Sequence, residues 1–137
     1  LANSLTNIVQ VLRSLLISDS VVAGFVGDNI HTAHIYDADA GTVPMPCLIL
    51  ELESGFGMYN RTVQFQDYDL YAYSKISQAE AMQVYNAAYD KLQACRLSLD
   101  GVSTKGLITE RSRPVSGYND RLMSWWVRGS WHVAAAG

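Results

Sequence analysis

The chain has 137 residues, of which 49% are hydrophobic and 17% charged, with a net charge of −3. This is one domain's worth of chain, able to bury roughly two thirds of its unfolded surface, and the composition excludes a disordered polypeptide. Ten Lys and Arg against thirteen Asp and Glu offer no basic face for a dedicated nucleic-acid binder, and no apolar run reaches the roughly 20 residues of a membrane-spanning helix.

In chain order, Asn3 or Ser4 can cap a first helix. Leu5, Ile8, Leu12 and Leu15 recur at helical spacing, with Val9 and Leu16 widening the stripe and Arg13 on the polar side. Ser18-Asp19-Ser20 breaks that helix and caps a second short one, "VVAGFVG", which stops at Gly27. "IHTAHIY" reads as a short extended piece, followed by a polar connection up to Pro44 and Pro46. The two prolines withhold amide donors and suit a strand entrance.

"CLILELE" is predicted as a strand. Cys47, Ile49, Glu51 and Glu53 share one face, and Leu48, Leu50 and Leu52 the inward one. Ser54 to Arg61 reads as a glycine-rich loop and Thr62 to Ser74 as a long second strand. Val63 and Phe65 are in one phase, then Tyr68, Leu70 and Ala72 take the other. A β-bulge near Gln66-Asp67 would produce that slip, and it would let the first part of the strand leave the sheet as an arm.

Ser77 with Glu80 forms a capping box before a helix whose packing face is Ala81, Tyr85, Ala88, Leu92 and Cys95. Asp100-Gly101 marks a turn. Leu107 to Val115 reads as a third strand, "PVSGYND" as a turn, and Leu122 to Ala134 as the last strand. In that strand Met123, Trp125, Val127, Trp131 and Val133 share one face. Ser124, Trp126, Arg128, Ser130 and His132 share the other. The order predicts a single α+β domain over 1–137: a mostly antiparallel sheet of four to five strands, helices on one face, and an extended hairpin arm.

Candidates for chemistry are few. His31, His34, Asp37 and Asp39 are metal-ligand types. In an extended segment, however, His31 and His34 point to opposite faces, and a solvated loop is the default. Glu51 and Glu53 would sit about 7 Å apart, a separation used by glycosidase carboxylates. Such pairs normally come from different elements in a cleft, so solvent-facing charges are the plainer reading. No nucleophile elbow, P-loop or dinucleotide motif occurs. Cys47 and Cys95 stand in no redox or zinc spacing and read as buried, reduced thiols of a soluble cytosolic protein. No cofactor, metal or catalytic residue is expected.

The order of these segments carries a resemblance. "VGDNIHTA", "PMPCLILELES", "DYDLYAYSKISQAEAMQVYNAAYDKL" and "ERSRPVSGYNDRLMSWWVRGSWHV" together resemble the tail-completion, or tail-terminator, proteins of long-tailed bacteriophages, from about Leu5 to Ala134. Each motif is unspecific alone; the spacing carries the match. The resemblance implies a non-enzymatic virion protein at the neck, assembled in the host cytoplasm. It implies a homo-oligomeric ring, usually a hexamer, on the head-proximal end of the tail tube. That ring ends tube polymerisation, contacts the tail tube protein and the neck or connector proteins, and passes DNA through its lumen without sequence-specific binding. Rival readings are another head–tail connector, such as a stopper or tail-tube component, and, more remotely, a small metal-dependent enzyme. Residue type and expected exposure nominate Phe56, Met58, Tyr59 and Arg61 in the loop, with Arg111, Arg113 and Trp126 on the outer sheet face, as interface residues.

Overall fold

A computed structural model of the chain describes residues 5–32, 45–58, 63–93, 98–99, 102–103, 105–110 and 114–136. Helix α1 spans Leu5–Ser18 and α2 Ser20–Val26. Asp19 caps α2 by accepting the Val22 N–H at 3.0 Å. Gly27 closes it at φ 61, a left-handed position that costs a glycine little. Strand β1 (Ile30–His31) runs parallel to β2 (Cys47–Met58), which pairs antiparallel with β3 (Val63–Ser74).

Helix α3 covers Gln78–Leu92. Its Ser77 cap accepts the Glu80 N–H at 3.1 Å, but the reciprocal half of the expected capping box is relayed. Glu80 accepts from the buried Ser74 hydroxyl at 2.7 Å, and Ser74 Oγ in turn receives the Ser77 N–H at 3.4 Å. A small separate hairpin, β4 (Ser98–Leu99) with β5 (Val102–Ser103), flanks the predicted Asp100-Gly101 turn, which lies outside the described residues. Strands β6 (Lys105–Glu110), β7 (Val115–Asn119) and β8 (Ser124–Ala136) complete the chain.

The main sheet has six strands in the order β1-β2-β3-β8-β6, with β7 also on β8. Strand β8 pairs with β3 along Trp125–Ala136. Its other edge is shared: β6 takes Trp131–Ala136 and β7 takes Ser124–Arg128. The sheet therefore has a hairpin end, where β2 meets β3, and a turn end, where β7 meets β8. All three helices cover one face. There Leu12, Leu16, Val22, Val26, Leu48, Leu50, Tyr68, Leu70, Val84, Tyr85, Leu92, Val127, Trp131 and Val133 form one buried core. The predicted α+β architecture is as expected, as are the packing residues Leu12 and Leu16 of α1 and Ala81, Tyr85, Ala88 and Leu92 of α3; the side chains of Leu5, Ile8 and Val9, and Cys95, lie outside what is described.

Several expectations are corrected. The strand β2 does not end at Glu53. It continues through Ser54–Met58, where Gly55 and Gly57 are held in the sheet by pairing with Gln66 and Gln64. The register shift lies in β2, between Leu52 and Ser54, which leaves Glu53 as the inserted residue. Strand β3 runs unbroken against β8. The phase change read near Gln66-Asp67 arises because Gln66 occupies the helix-side face, fully buried, where its amide oxygen accepts from the Tyr68 hydroxyl. Glu53, expected on the face of Glu51, has no Cα partner in this register, and its side chain lies outside what is described. The start of β3 also does not leave the sheet, because Val63–Phe65 stay paired to Ala134–Ala136. The hairpin is extended, but as part of a four-stranded end.

The predicted third strand is two strands, β6 and β7, and "PVSGYND" is mostly β7 rather than a turn. The turn falls at Asp120–Met123, where the Asn119 carboxamide oxygen accepts the N–H groups of Arg121 and Leu122 at 3.0 and 3.1 Å. The final strand starts later and ends later than expected, at Ser124–Ala136.

A candidate interface on the helix-free face of the sheet

Residues directly opposite in neighbouring strands share a face, so the register defines the second surface row by row. At the turn end it is apolar. Cys47, Ile49, Tyr73 and Leu122 form a second buried cluster, with Met45, Tyr71 and Trp126 packed against it and no helix residue taking part. The expectation of an outer face turning polar along its length is met, but its apolar half is sealed. Cys47 is fully buried, and loss of solvation pushes its thiol from the ordinary 9.0 up to about 12. Burial, followed by the neighbouring Tyr71, Cys47 and Glu51 charges, raises the Tyr73 phenol to about 12.

Trp126 has the parity the sequence assigns it. It is half-buried, with its ring centroid 6.5 Å from that of Tyr71. A side chain on Gly117 would place its Cβ 2.6 Å from Trp126 Cζ2, so the indole lies directly across the β7 backbone. Trp126 is therefore seated by β7 rather than by a helix or arm.

Toward the hairpin end the same face turns polar. Glu51 opposes Asp69, which opposes Ser130; Ser54 opposes Asp67, which opposes His132. Ser130 donates to the Asp69 carboxylate at 3.0 Å, and His132 Nδ1 lies 2.7 Å from Asp67 Oδ1. These residues are half-exposed. A pair such as Asp67–His132 contributes about 0.2–1 kcal/mol in that setting. Ser130 bonds a carboxylate rather than His132, so hydroxyl and imidazole are each tied to a separate acid and no nucleophile–base relay forms.

Trp126 is the one nominated residue whose side chain is described. Phe56 and Met58 fall at the outer end of β2, and their side chains lie outside what is described. Tyr59, Arg61, Arg111 and Arg113 lie outside the described residues. Among the described residues no group of three or more His, Cys, Asp or Glu comes together to hold a metal. His31 opposes Ile49, and its Nε2 is buried without a hydrogen-bond partner in the described structure; His34, Asp37 and Asp39 lie outside the described residues.

Sequence reasoning missed one functional feature of the edges. Arg13, assigned to a solvated helix face, donates Nε to the Ile30 carbonyl at 2.8 Å and Nη2 to the Asp28 carbonyl at 3.3 Å. The Ile30 N–H bonds the Asp28 carbonyl at 2.8 Å. The outward backbone groups of Ile30 are therefore occupied from within, and β1 is a capped edge.

No family model matches the sequence, and no curated protein matches it. Among solved structures, a chain from the virion of a native gene transfer agent (GTA) particle superposes with a TM-score of 0.70 at 14% identity, covering 98% of this chain and 100% of that one. At that identity the likeness is one of fold, and it spans the whole described architecture.

Proposed function

We propose that the chain is a structural, non-enzymatic virion protein. In this reading it forms a ring, six-membered as in the family it resembles, at the head-proximal end of a phage-type tail tube, ending tube polymerisation and joining the tail to the neck. The observation that carries the reading is the end-to-end fold correspondence with a chain of a phage-like particle, joined to the segment order that resembles tail terminators.

The sheet edges supply a physical route to the ring. At the hairpin end, Ser54–Met58 of β2 and Lys105–Glu110 of β6 lie at the same level on opposite sides, and neither has a second strand partner among the described residues. Strand β2 runs toward that end and β6 away from it. A contact between β6 of one copy and the Ser54–Met58 segment of the neighbour's β2 would be antiparallel for copies in one orientation, with the neighbour tilted out of the sheet plane so that its β1 clears β7. Such a contact is heterologous and closes only as a ring, with backbone hydrogen bonds as its main glue. Phe56 and Met58 are residues of the first of these edges, and Trp126 lies on the helix-free face of β8. The net charge of −3 suits a channel through which DNA slides.

Adding the purified protein to growing tail tubes tests this. The expected result is tubes that stop lengthening and carry one ring of density at a single end in electron micrographs. Tubes that lengthen as before, or that incorporate the protein along their whole length, would favour a tube component and overturn the terminator role.

A further inference from the structure

The side of β8 that β6 and β7 share is interrupted. Between the pairs Glu110–Trp131 and Val115–Arg128, β8 has Gly129 and Ser130, whereas the other side of the ladder has residues 111–114. The end of β6 at Glu110 therefore needs a hold of its own. Toward the helices β6 brings Ile108, buried in the core, and Glu110, which lies opposite Trp131. Glu110 is half-buried, a place where a carboxylate is costly unless it is hydrogen-bonded. Tyr85 of α3 supplies that bond, its hydroxyl donating to the carboxylate at 2.5 Å. The direction is fixed. Trp131 Nε1, which can only donate, donates to the Tyr85 oxygen at 3.2 Å, so the Tyr85 proton is left for an acceptor. Tyr85 is itself tightly seated, 1% exposed, with its oxygen 1.7 Å from where a Cβ on Gly129 would stand. Across the interruption Gln78, about two turns before Tyr85 on α3, donates Nε2 to Ser116 Oγ of β7 at 2.5 Å.

From these contacts we infer that Glu110 is a positioning residue: with Tyr85 it forms a latch from α3 to the end of β6, and this latch, more than packing, fixes where that strand end lies. Position 110 has to carry a hydrogen-bond acceptor. Apolar surface of similar size does not replace it, because the buried Tyr85 hydroxyl would be left without a partner. The charge on the acceptor strengthens the bond, and the order Trp131, Tyr85, Glu110 lets each link polarise the next. The Gln78–Ser116 bond is exposed and is the weaker stitch. In the ring reading above, on which this consequence rests, β6 is an edge offered to a neighbour, so the latch also governs assembly.

Amide hydrogen exchange on the full chain tests the latch. Glu110→Leu keeps the approximate size and adds apolar surface. Its β6 amides are expected to exchange about tenfold faster or more, with those of Leu48–Leu50 and Leu70–Ala72 unchanged. Glu110→Gln still offers an acceptor and is expected to stay within about threefold of the parent. Tyr85→Phe should loosen β6 as Glu110→Leu does, and the double variant no further than either alone. Unchanged β6 exchange in Glu110→Leu, a Glu110→Gln protein as fast as Glu110→Leu, or additive effects in the double variant would each overturn the latch. Glu110→Leu is also expected to lower the association constant of the multimer about tenfold. A parent and a Glu110→Leu protein that assemble equally would overturn the link to assembly. A parent that never assembles would overturn the ring reading, while the exchange rates still decide the latch.

Discussion

The two faces of this sheet are built from alternate residues of the same strands, yet they are finished differently. On the helix side Leu48, Leu50, Leu70, Val127 and Trp131 are sealed in one continuous core. Its polar atoms are few and paired. The Tyr85 hydroxyl accepts from Trp131 Nε1 at 3.2 Å and donates to the Glu110 carboxylate, and burial together with that carboxylate raises the phenol far above its ordinary range. On the other side a small apolar cluster gives way to half-exposed acids, a histidine and an arginine. The helix side is closed to solvent by packing. The other side leaves its polar half partly exposed.

The sharpest way to break the helix side is at Gly129. A Cβ there would stand 1.7 Å from the Tyr85 hydroxyl oxygen, so the helix lies directly on the β8 backbone. Gly129→Ala is expected to cost about 3 kcal/mol or more in urea unfolding. The cost should shrink in a Tyr85→Phe background that removes the nearest atom. An additive pair of changes would contradict the contact.

Neighbouring residues compare the faces directly. Leu50 and Ile49 are both buried, one in each cluster. Leu50→Ala should lose about 2–5 kcal/mol, and Ile49→Ala a value at or below the low end of that range, because a small cluster with half-exposed neighbours collapses more easily around a cavity. Equal losses would mean that the second face is as rigid as the first.

Cys47 probes how tightly the second cluster is sealed. Its folded pKa of about 12 exceeds the ordinary 9.0, so the folded state holds the proton more tightly than the unfolded chain. That contribution is complete below pH 9 and is lost as pH rises toward 12, with a slope of at most about 1.4 kcal/mol per pH unit. Over that range Cys47→Ala should lose less stability than the parent, and the native thiol should resist thiol reagents at pH 8. Rapid labelling would show an open cluster. The smallest effect is expected at the half-exposed pair: Asp67→Asn should change stability by no more than about 1 kcal/mol, and by less in high salt.

Much of the helix side was legible in the sequence, because periodicity and caps are local signals. Asp19, Gly27 and Ser77 mark helix ends, and the alternation in β8 assigns Trp126 and Trp131 to opposite faces. What was not legible depends on partners distant in the chain. Strand β7 reads as a turn because Gly117 and Asn119 are turn residues; it is a strand because β8 pairs with it, Trp126 lies over Gly117, and Tyr118 meets Trp125 edge-on at 4.8 Å. A buried glutamine and a bulge on the neighbouring strand leave the same phase change in β3, and only the register separates them. The Asp67–His132 and Asp69–Ser130 pairs join residues 65 and 61 positions apart, so no local pattern announces them.

The central claim is that this chain closes on itself through the hairpin end of its sheet. The mass of the native assembly tests it most directly, measured on the purified protein at high concentration and again with tail tubes present. The account predicts a single closed multimer of fixed subunit number, free or bound to tube ends. A strict monomer under both conditions, or a mass that grows without limit as concentration rises, would contradict it.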